Sequence, residues 1–492
     1  MKNTRSLSQL FGYSFGECAN SLIMNGLFGF AMLYYTDALG LPPALAGMAM
    51  SVSVFWEALS DPVMGYLSDR TRTRFGRRLP WMMFGGLMMA VCFFFVWAVP
   101  EGLRGNSTSL FWYLVVMNLL LRTGLTMFFI PYMALGFELV TDYHQRTTLQ
   151  SLRQVFNMAA NFAGPAMAWT FFFRDQPGAE AGSVVKGTSI ASNFIHMGTA
   201  FAAATLVFVF IVVAASWNRK EDSRNAPAPA GGSGFGGFFK EMKDIIADTN
   251  PRWVFVFIFV VAAGMVLVSS LQMYVYVHFM QFSPEQKSIA HGSTMIGMAL
   301  GALLSIGLVR RLDKRGAVMV GGIISVVANL GLAVVFLGGL LPVVAGNTGA
   351  PVSSLVVFVF FHAAYWLGNG ILLPVAHAMM ADVSEVNLLR TGVNKDGGYA
   401  AVFSLALRLA ISFSLMLSGW VLDSIGFVSG PDKVQTPSTI WWLGLVMFVI
   451  GAIIALASLG AIRRYRVDRA LLESLRAQTG VATTCGVEAT AS

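Results

Sequence analysis

Apolar residues fill this chain in long, nearly unbroken blocks, and polar residues are confined to short stretches between them. Twelve blocks reach the roughly 20 residues that a helix needs to cross a bilayer. They lie at 10–35, 44–68, 79–99, 109–139, 148–173, 190–216, 252–280, 290–309, 317–341, 352–382, 398–425 and 438–462. The blocks are continuous and do not alternate every second residue, which predicts helices and excludes a membrane β-barrel. Met1 to Gln9 is short and polar and runs straight into the first block, so no cleavable leader is expected. The expectation is an all-α membrane protein with twelve transmembrane helices in two pseudo-symmetric six-helix bundles. An N-terminal bundle covers 1–216, a cytoplasmic linker 217–251, a C-terminal bundle 252–462 and a cytoplasmic tail 463–492. In the linker, Phe235, Phe238, Phe239, Met242, Ile245 and Ile246 recur at helical spacing opposite Lys240, Lys243 and Asp244. That segment reads either as an amphipathic helix on the membrane surface or as a spacer.

Composition agrees: 56% of the residues are apolar and 12% charged, against about 25% charged in an ordinary soluble chain. The net charge of +8 does not mark a nucleic-acid partner, because the basic residues sit in the short loops. Of the 33 Lys and Arg, 25 fall on the side of the two termini, five on the opposite side and three within helices. The positive-inside rule then places both termini in the cytoplasm of a multi-pass protein in a bacterial inner (plasma) membrane. Cys18, Cys92 and Cys485 imply no disulfide framework. The halves look duplicated. Pro131 is followed by Glu138 and then Arg146-Thr147; Pro374 is followed by Asp382 and then Arg390-Thr391. Duplicated bundles with a site between them are the mark of a secondary transporter.

Six ionisable residues lie deep within the blocks: Glu17, Glu57, Asp61, Arg122, Arg153 and Arg408. Facing lipid, each would cost about 2.5–3.5 kcal/mol on the insertion scale, so they are expected to face a cavity and one another. Glu57 and Asp61 are four apart, which puts both carboxylates on one helix face. Two close carboxylates need a cation or a proton between them. With hydroxyl oxygens nearby they make an all-oxygen site for a hard cation. No nucleophile–base pair, metal cluster or nucleotide loop is present, and beyond Na⁺ or H⁺ as coupling ion no cofactor or metal is expected.

The motifs Tyr34-Tyr35-Thr36-Asp37, Trp56-Glu57 with Asp61-Pro62-Val63-Met64-Gly65, and Gly76-Arg77-Arg78-Leu79-Pro80-Trp81 come in order along the first half. Ile130-Pro131-Tyr132, Glu138 with Arg146-Thr147, and Ala381-Asp382-Val383 with Arg390-Thr391-Gly392 follow. This series resembles the glycoside–pentoside–hexuronide:cation symporters, the melibiose permease-like branch of the major facilitator superfamily. The resemblance covers nearly the whole chain and implies the major facilitator fold.

It also implies a cation site at Glu57, Ser60, Asp61 and Thr126, with Glu57 longer than the family's usual Asp and Ser60 in place of an amide. Ser21 and Phe129 stand where the family's sugar-gripping acids would be; Glu17 and Asn20 lie close to Ser21 in sequence. Arg153 falls near the family's pocket base, and Arg408 on the helix-11 position of a family lysine. Arg122 has no counterpart. It either clamps an anionic substrate or pairs with Glu17 or a helix-2 acid. Asp69, Glu138, Arg146, Asp382 and Arg390 match the family's cytoplasmic loop pattern and are expected to pair across the inner mouth when the protein faces outward and to separate when it faces inward. The function implied is import of a glycoside or sugar acid (a uronide) by Na⁺ or H⁺ symport, the protein acting as a monomer in the lipid bilayer. The alternative is a cation-coupled carrier of a non-sugar amphipathic or anionic substrate, such as a lysolipid or organic acid.

Overall fold

The computed structural model describes residues 6–139, 143–177, 184–217, 245, 249–343, 349–392, 396–431, 433–465, 467 and 469–479. Apart from Trp217, Ile245 and 249–251, the linker over 217–251 lies outside the described residues, and so does the end of the tail. Ile245 is buried in the apolar core of the second half.

The first six helices are α1 (Leu7–Gly26, carried on by π-type turns Leu27–Ala31 and Tyr34–Ala38), α2 (Pro43–Arg70), α3 (Leu79–Trp97), α4 (Ser107–Leu139), α5 (Tyr143–Met167, then Ala168–Phe172) and α6 (Ala191–Ser216). The second six are α7 (Thr249–Tyr274, then Val275–Phe279), α8 (284–312), α9 (314–337), α10 (Val352–Thr391), α11 (Asp396–Ser424) and α12 (Pro437–Leu445, Val446–Ile450 and Gly451–Ile462). A short amphipathic α13 (Arg469–Thr479) follows. Local chemistry sets the ends. Ser6 caps α1, Ser283 and Gln286 form a capping box before Pro284, and Gly392 closes α10 in the left-handed region at φ 70°. Where the sequence predicts a loop at 310–316, the chain turns on one residue. Asp313 adopts φ 58°, and its carboxylate accepts from the Lys314 N–H at 2.7 Å. A two-residue ribbon, Gln176–Pro177 against Val184–Val185, crosses the loop after α5.

Eight helical stretches among the described residues are long and apolar enough to cross a membrane, and one of these, Pro284–Leu337, is α8 and α9 together. Helices α1, α2 and α5 do not meet that standard, and these three carry most of the polar site residues.

Packing repeats with a shift of six helices. Helix α1 packs on α5 and α6, α2 on α4, and α3 on α4 and α6; in the second half α7 packs on α11 and α12, and α8 and α9 on α10. The halves meet through α2 against α11 and α5 against α8, again related by that shift. Glycine permits the close crossings: a Cβ on Gly47 would meet the Leu415 carbonyl oxygen at 2.4 Å. Phe210, Leu303 and Phe360 are more than half exposed, as expected of side chains that meet lipid.

A second set of cross-half contacts lies at the end of the bundle opposite the chain termini. Thr36 Oγ1 and the Tyr274 hydroxyl are 2.8 Å apart, His278 Nε2 and Asp37 Oδ2 2.7 Å, and the Gly430 N–H donates to the Thr36 carbonyl at 3.0 Å. Lys186 donates to the Val277 carbonyl at 2.9 Å. Burial pushes the Lys186 ammonium below its ordinary range, and Asp37 and Asp175 pull it partly back.

Candidate cation and substrate site

The acids of α2 meet two arginines, one from α4 and one from the opposite half. Arg122 Nη1 donates to Glu57 Oε2 at 2.5 Å. Arg408 of α11 spans both acids, with Nη1 2.6 Å from Glu57 Oε1 and Nη2 donating to Asp61 Oδ2 at 3.0 Å. The last oxygen, Asp61 Oδ1, accepts from the Thr126 hydroxyl at 2.7 Å, and Ser60 Oγ lies 3.2 Å from Thr126 Oγ1. Helical spacing alone explains the fit: Glu57 and Asp61 are one turn apart on α2, and Arg122 and Thr126 one turn apart on α4. The four residues expected to hold a cation thus come together, and two guanidinium groups sit among them.

Burial is graded across this cluster. Glu57 and Arg122 are sealed, at 0% and 1% exposure, while the side chains of Asp61 and Arg408 keep 19% and 22%. The Arg122 guanidinium also lies over the Phe28 ring at 5.2 Å and 3.6 Å from Met24 Sδ, both on α1. Of the two readings open for Arg122, this arrangement contains internal pairing, and the partner is the helix-2 acid Glu57; Glu17 goes elsewhere. Two acids and two bases, one of each sealed and one of each partly exposed, balance in charge, which is how such a cluster tolerates the interior.

Glu17 belongs to a separate line of polar residues. Arg153 Nε and Nη2 donate to Glu17 Oε1 at 2.9 and 2.5 Å. One turn on, Asn157 Nδ2 donates to Ser21 Oγ at 2.9 Å; a further turn on, Asn25 Nδ2 donates to Asn161 Oδ1 at 2.5 Å. Helices α1 and α5 run side by side in the same direction, so 17, 21 and 25 face 153, 157 and 161 as three rungs about 6 Å apart. The sequence signal for Asn25, Asn157 and Asn161 was there, as polar residues at spacing four on each helix, but only the fold sets the rungs opposite one another. Asn20 Oδ1 is buried without a hydrogen-bond partner. Phe129 is half-buried against the Tyr132 ring.

A further polar cluster in the second half was not anticipated. His362 Nε2 lies 3.0 Å from the Tyr276 hydroxyl and 3.2 Å from Gln272 Oε1, and accepts from Trp366 Nε1 at 3.3 Å.

At the end of the bundle carrying the termini, Asp69 is held by Arg78 at 3.0 Å, and Asp382 by Lys314 and, at 3.4 Å, the Tyr465 hydroxyl. Each pairing stays within one half. Arg390 is exposed at the end of α10. The side chains of Glu138 and Arg146 lie outside the described residues.

Comparison with known proteins fits this architecture. The chain is 26% identical to the inner membrane symporter YicJ of Escherichia coli, over 94% of this chain and 92% of that one. It is 22% identical to the isoprimeverose transporter of Lactiplantibacillus pentosus, over 95% and 90% of the two chains. A crystal structure of a mutant nucleoside transporter NupG shares the fold, with a TM-score of 0.64 at 12% identity, over 93% of this chain and all of that one. The sequence model for the MFS/sugar transport protein family matches residues 12–469. Twelve helices, paired acids on α2 and a match over nearly the full length lead to one conclusion: this chain belongs to that family, the melibiose permease-like cation symporters of the major facilitator superfamily, and is a multi-pass membrane transporter and not an enzyme.

Proposed function

We propose that this protein imports a glycoside or sugar acid together with a coupling cation, by alternating access to one cavity. In this reading it acts as a monomer in a bacterial inner membrane, with both termini in the cytoplasm. The carrying observation is the three-rung ladder between α1 and α5. It presents one carboxylate–guanidinium pair, three amides and a hydroxyl along about two helical turns. Asparagine offers both donors and acceptors, as a sugar hydroxyl requires. The excess of basic loops on one side supports the orientation, and the relatives named above support the substrate class. The moving units are the halves 1–216 and 252–462, with Asp69, Glu138, Arg146, Asp382 and Arg390 at the inner mouth.

Uptake into proteoliposomes tests the proposal. The panel holds labelled galactosides, xylosides, glucuronides and lysophosphatidylcholine, under an imposed Na⁺ or pH gradient. At least one glycoside or uronide should accumulate above its equilibrium level. Asn157→Ala should raise the apparent KM by about tenfold, the loss of about 1.4 kcal/mol expected of one buried hydrogen bond. Accumulation of the lysolipid alone would replace the sugar reading with the amphipathic one.

A further inference from the structure

We propose that Arg122 is a built-in cation that keeps Na⁺ out of the Glu57–Asp61 pair. This rests on the reading of that pair as the coupling site. With one basic residue from α11, as the family resemblance implies, two acids would leave the site one positive charge short, and a bound cation would supply it. Here Arg122 supplies that charge from within the protein, on Glu57 Oε2 at 2.5 Å.

The donor count points the same way. A hard cation needs a shell of free oxygen ligands. Three of the four carboxylate oxygens of Glu57 and Asp61 accept hydrogen bonds, from Arg122, Arg408 and the Thr126 hydroxyl; the fourth, Glu57 Oε1, is buried without a hydrogen bond and is ion-paired to Arg408 Nη1 at 2.6 Å. The charged groups facing the pair, among the described residues, are Arg122 from α4 and Arg408 from α11; from α1, Met24 and Phe28 lie against the Arg122 guanidinium. A Na⁺ ion would have to displace a guanidinium from its acid and then lie beside it as a like charge. Arg408 is partly exposed and could withdraw, but Arg122 is sealed at 1% exposure with Phe28 against it. The residues that should hold Na⁺ therefore do not fit it. Of the two coupling ions the sequence allows, H⁺ is the one left.

Na⁺ alone is the probe. The purified full-length protein in detergent is assayed for saturable ²²Na⁺ binding, and for its unfolding midpoint in NaCl against choline chloride at equal ionic strength. The wild type should bind no Na⁺ saturably and show no Na⁺-specific shift. Arg122→Gln should gain saturable binding, at least about tenfold tighter than any seen in the wild type, with a Na⁺-specific rise in midpoint. Glu57→Gln combined with Arg122→Gln should lose it again. Arg122→Lys keeps a cation in place and should remain Na⁺-blind. Saturable Na⁺ binding by the wild type overturns the proposal, and so does a folded Arg122→Gln that binds none. If Arg122→Gln does not fold, the wild type and Arg122→Lys decide: Na⁺ binding by either refutes the idea, and its absence from both upholds it. No substrate enters this assay, so a carrier found to move something other than a sugar leaves the result standing. A failed Na⁺ result likewise leaves the uptake panel intact.

Discussion

At the scale of single residues, the acids of α2 do two different jobs. Glu57 is sealed and carries Arg122, whereas Asp61 keeps 19% of its side chain reachable and is held by a hydroxyl and the outer fork of Arg408. Asp61→Asn should therefore abolish cation-driven accumulation while leaving the protein inserted, since the Glu57–Arg122 pair survives it. Retained concentration of substrate against a gradient would show that the coupling site lies elsewhere. Glu57→Gln should behave differently. It leaves a fully buried guanidinium with its counter-charge removed, a change that costs about 3–5 kcal/mol. The expected result is a large drop in the unfolding midpoint, measured in detergent, before any question of transport arises. Glu57→Gln with Arg122→Met should recover most of that loss, because no charge is then stranded.

At the scale of elements, the chain's glycines fix where helices can cross. Gly301 of α8 faces α10 so closely that a Cβ there would meet the Leu367 carbonyl oxygen at 2.1 Å, and Gly297 repeats the contact one turn away against Ala363. Backbone cannot retreat as a side-chain tip can. Gly301→Val should push α8 off α10 and lower the yield of folded protein on size-exclusion chromatography, while Gly307→Ala, where nothing lies within 4 Å, should be neutral. Spacing four between the small residues Gly297 and Gly301 on an apolar helix reads as close packing, but the sequence does not name α10 as the partner. The spans α3, α4 and α6 to α12 were legible as long apolar runs, whereas α1, α2 and α5, which carry most of the polar site residues, stand out less. Helix ends were less legible, since a helix can run past the bilayer, as α10 does to Thr391. The loop between α8 and α9 was misjudged because a run of charges looks like a connection even when helix holds up to Asp313 on one side and from Lys314 on the other. Clusters made from one helix face were visible, as with Glu57 and Asp61. Clusters made by two or three helices were not. Nothing in the spacing of α4 says that Arg122 reaches Glu57 and not Glu17, and nothing in α1 says that Ser21 will face Asn157.

At the scale of the whole molecule, alternating access requires that the halves part at one end while they stay joined at the other. In this structure the end opposite the termini is held by contacts that cross between the halves: Thr36 to Tyr274, Asp37 to His278, Gly430 to Thr36 and Lys186 to Val277. They converge on the last turn of α1 and the last turn of α7, helices related by the six-helix shift. Each hydrogen bond of this kind contributes about 0.5–1.5 kcal/mol, so losing two should move the balance between the two arrangements by roughly tenfold. The ladder gives a place to read that shift. Asn25 lies on its third rung, half-buried, about 20 Å along α1 from Ala38. In a background of Cys18→Ser, Cys92→Ser and Cys485→Ser, a reporter thiol from Asn25→Cys should react slowly with a membrane-impermeant reagent added on the side opposite the termini. Adding Thr36→Val and Asp37→Ala should raise that rate about tenfold, while the rate from the other side falls. Thr199→Val removes a hydroxyl whose hydrogen bond stays within α6 and should change neither. If the double change at 36 and 37 leaves both rates as they were, these contacts do not hold the halves together, and closure at that end must come from the α2–α11 and α5–α8 crossings instead.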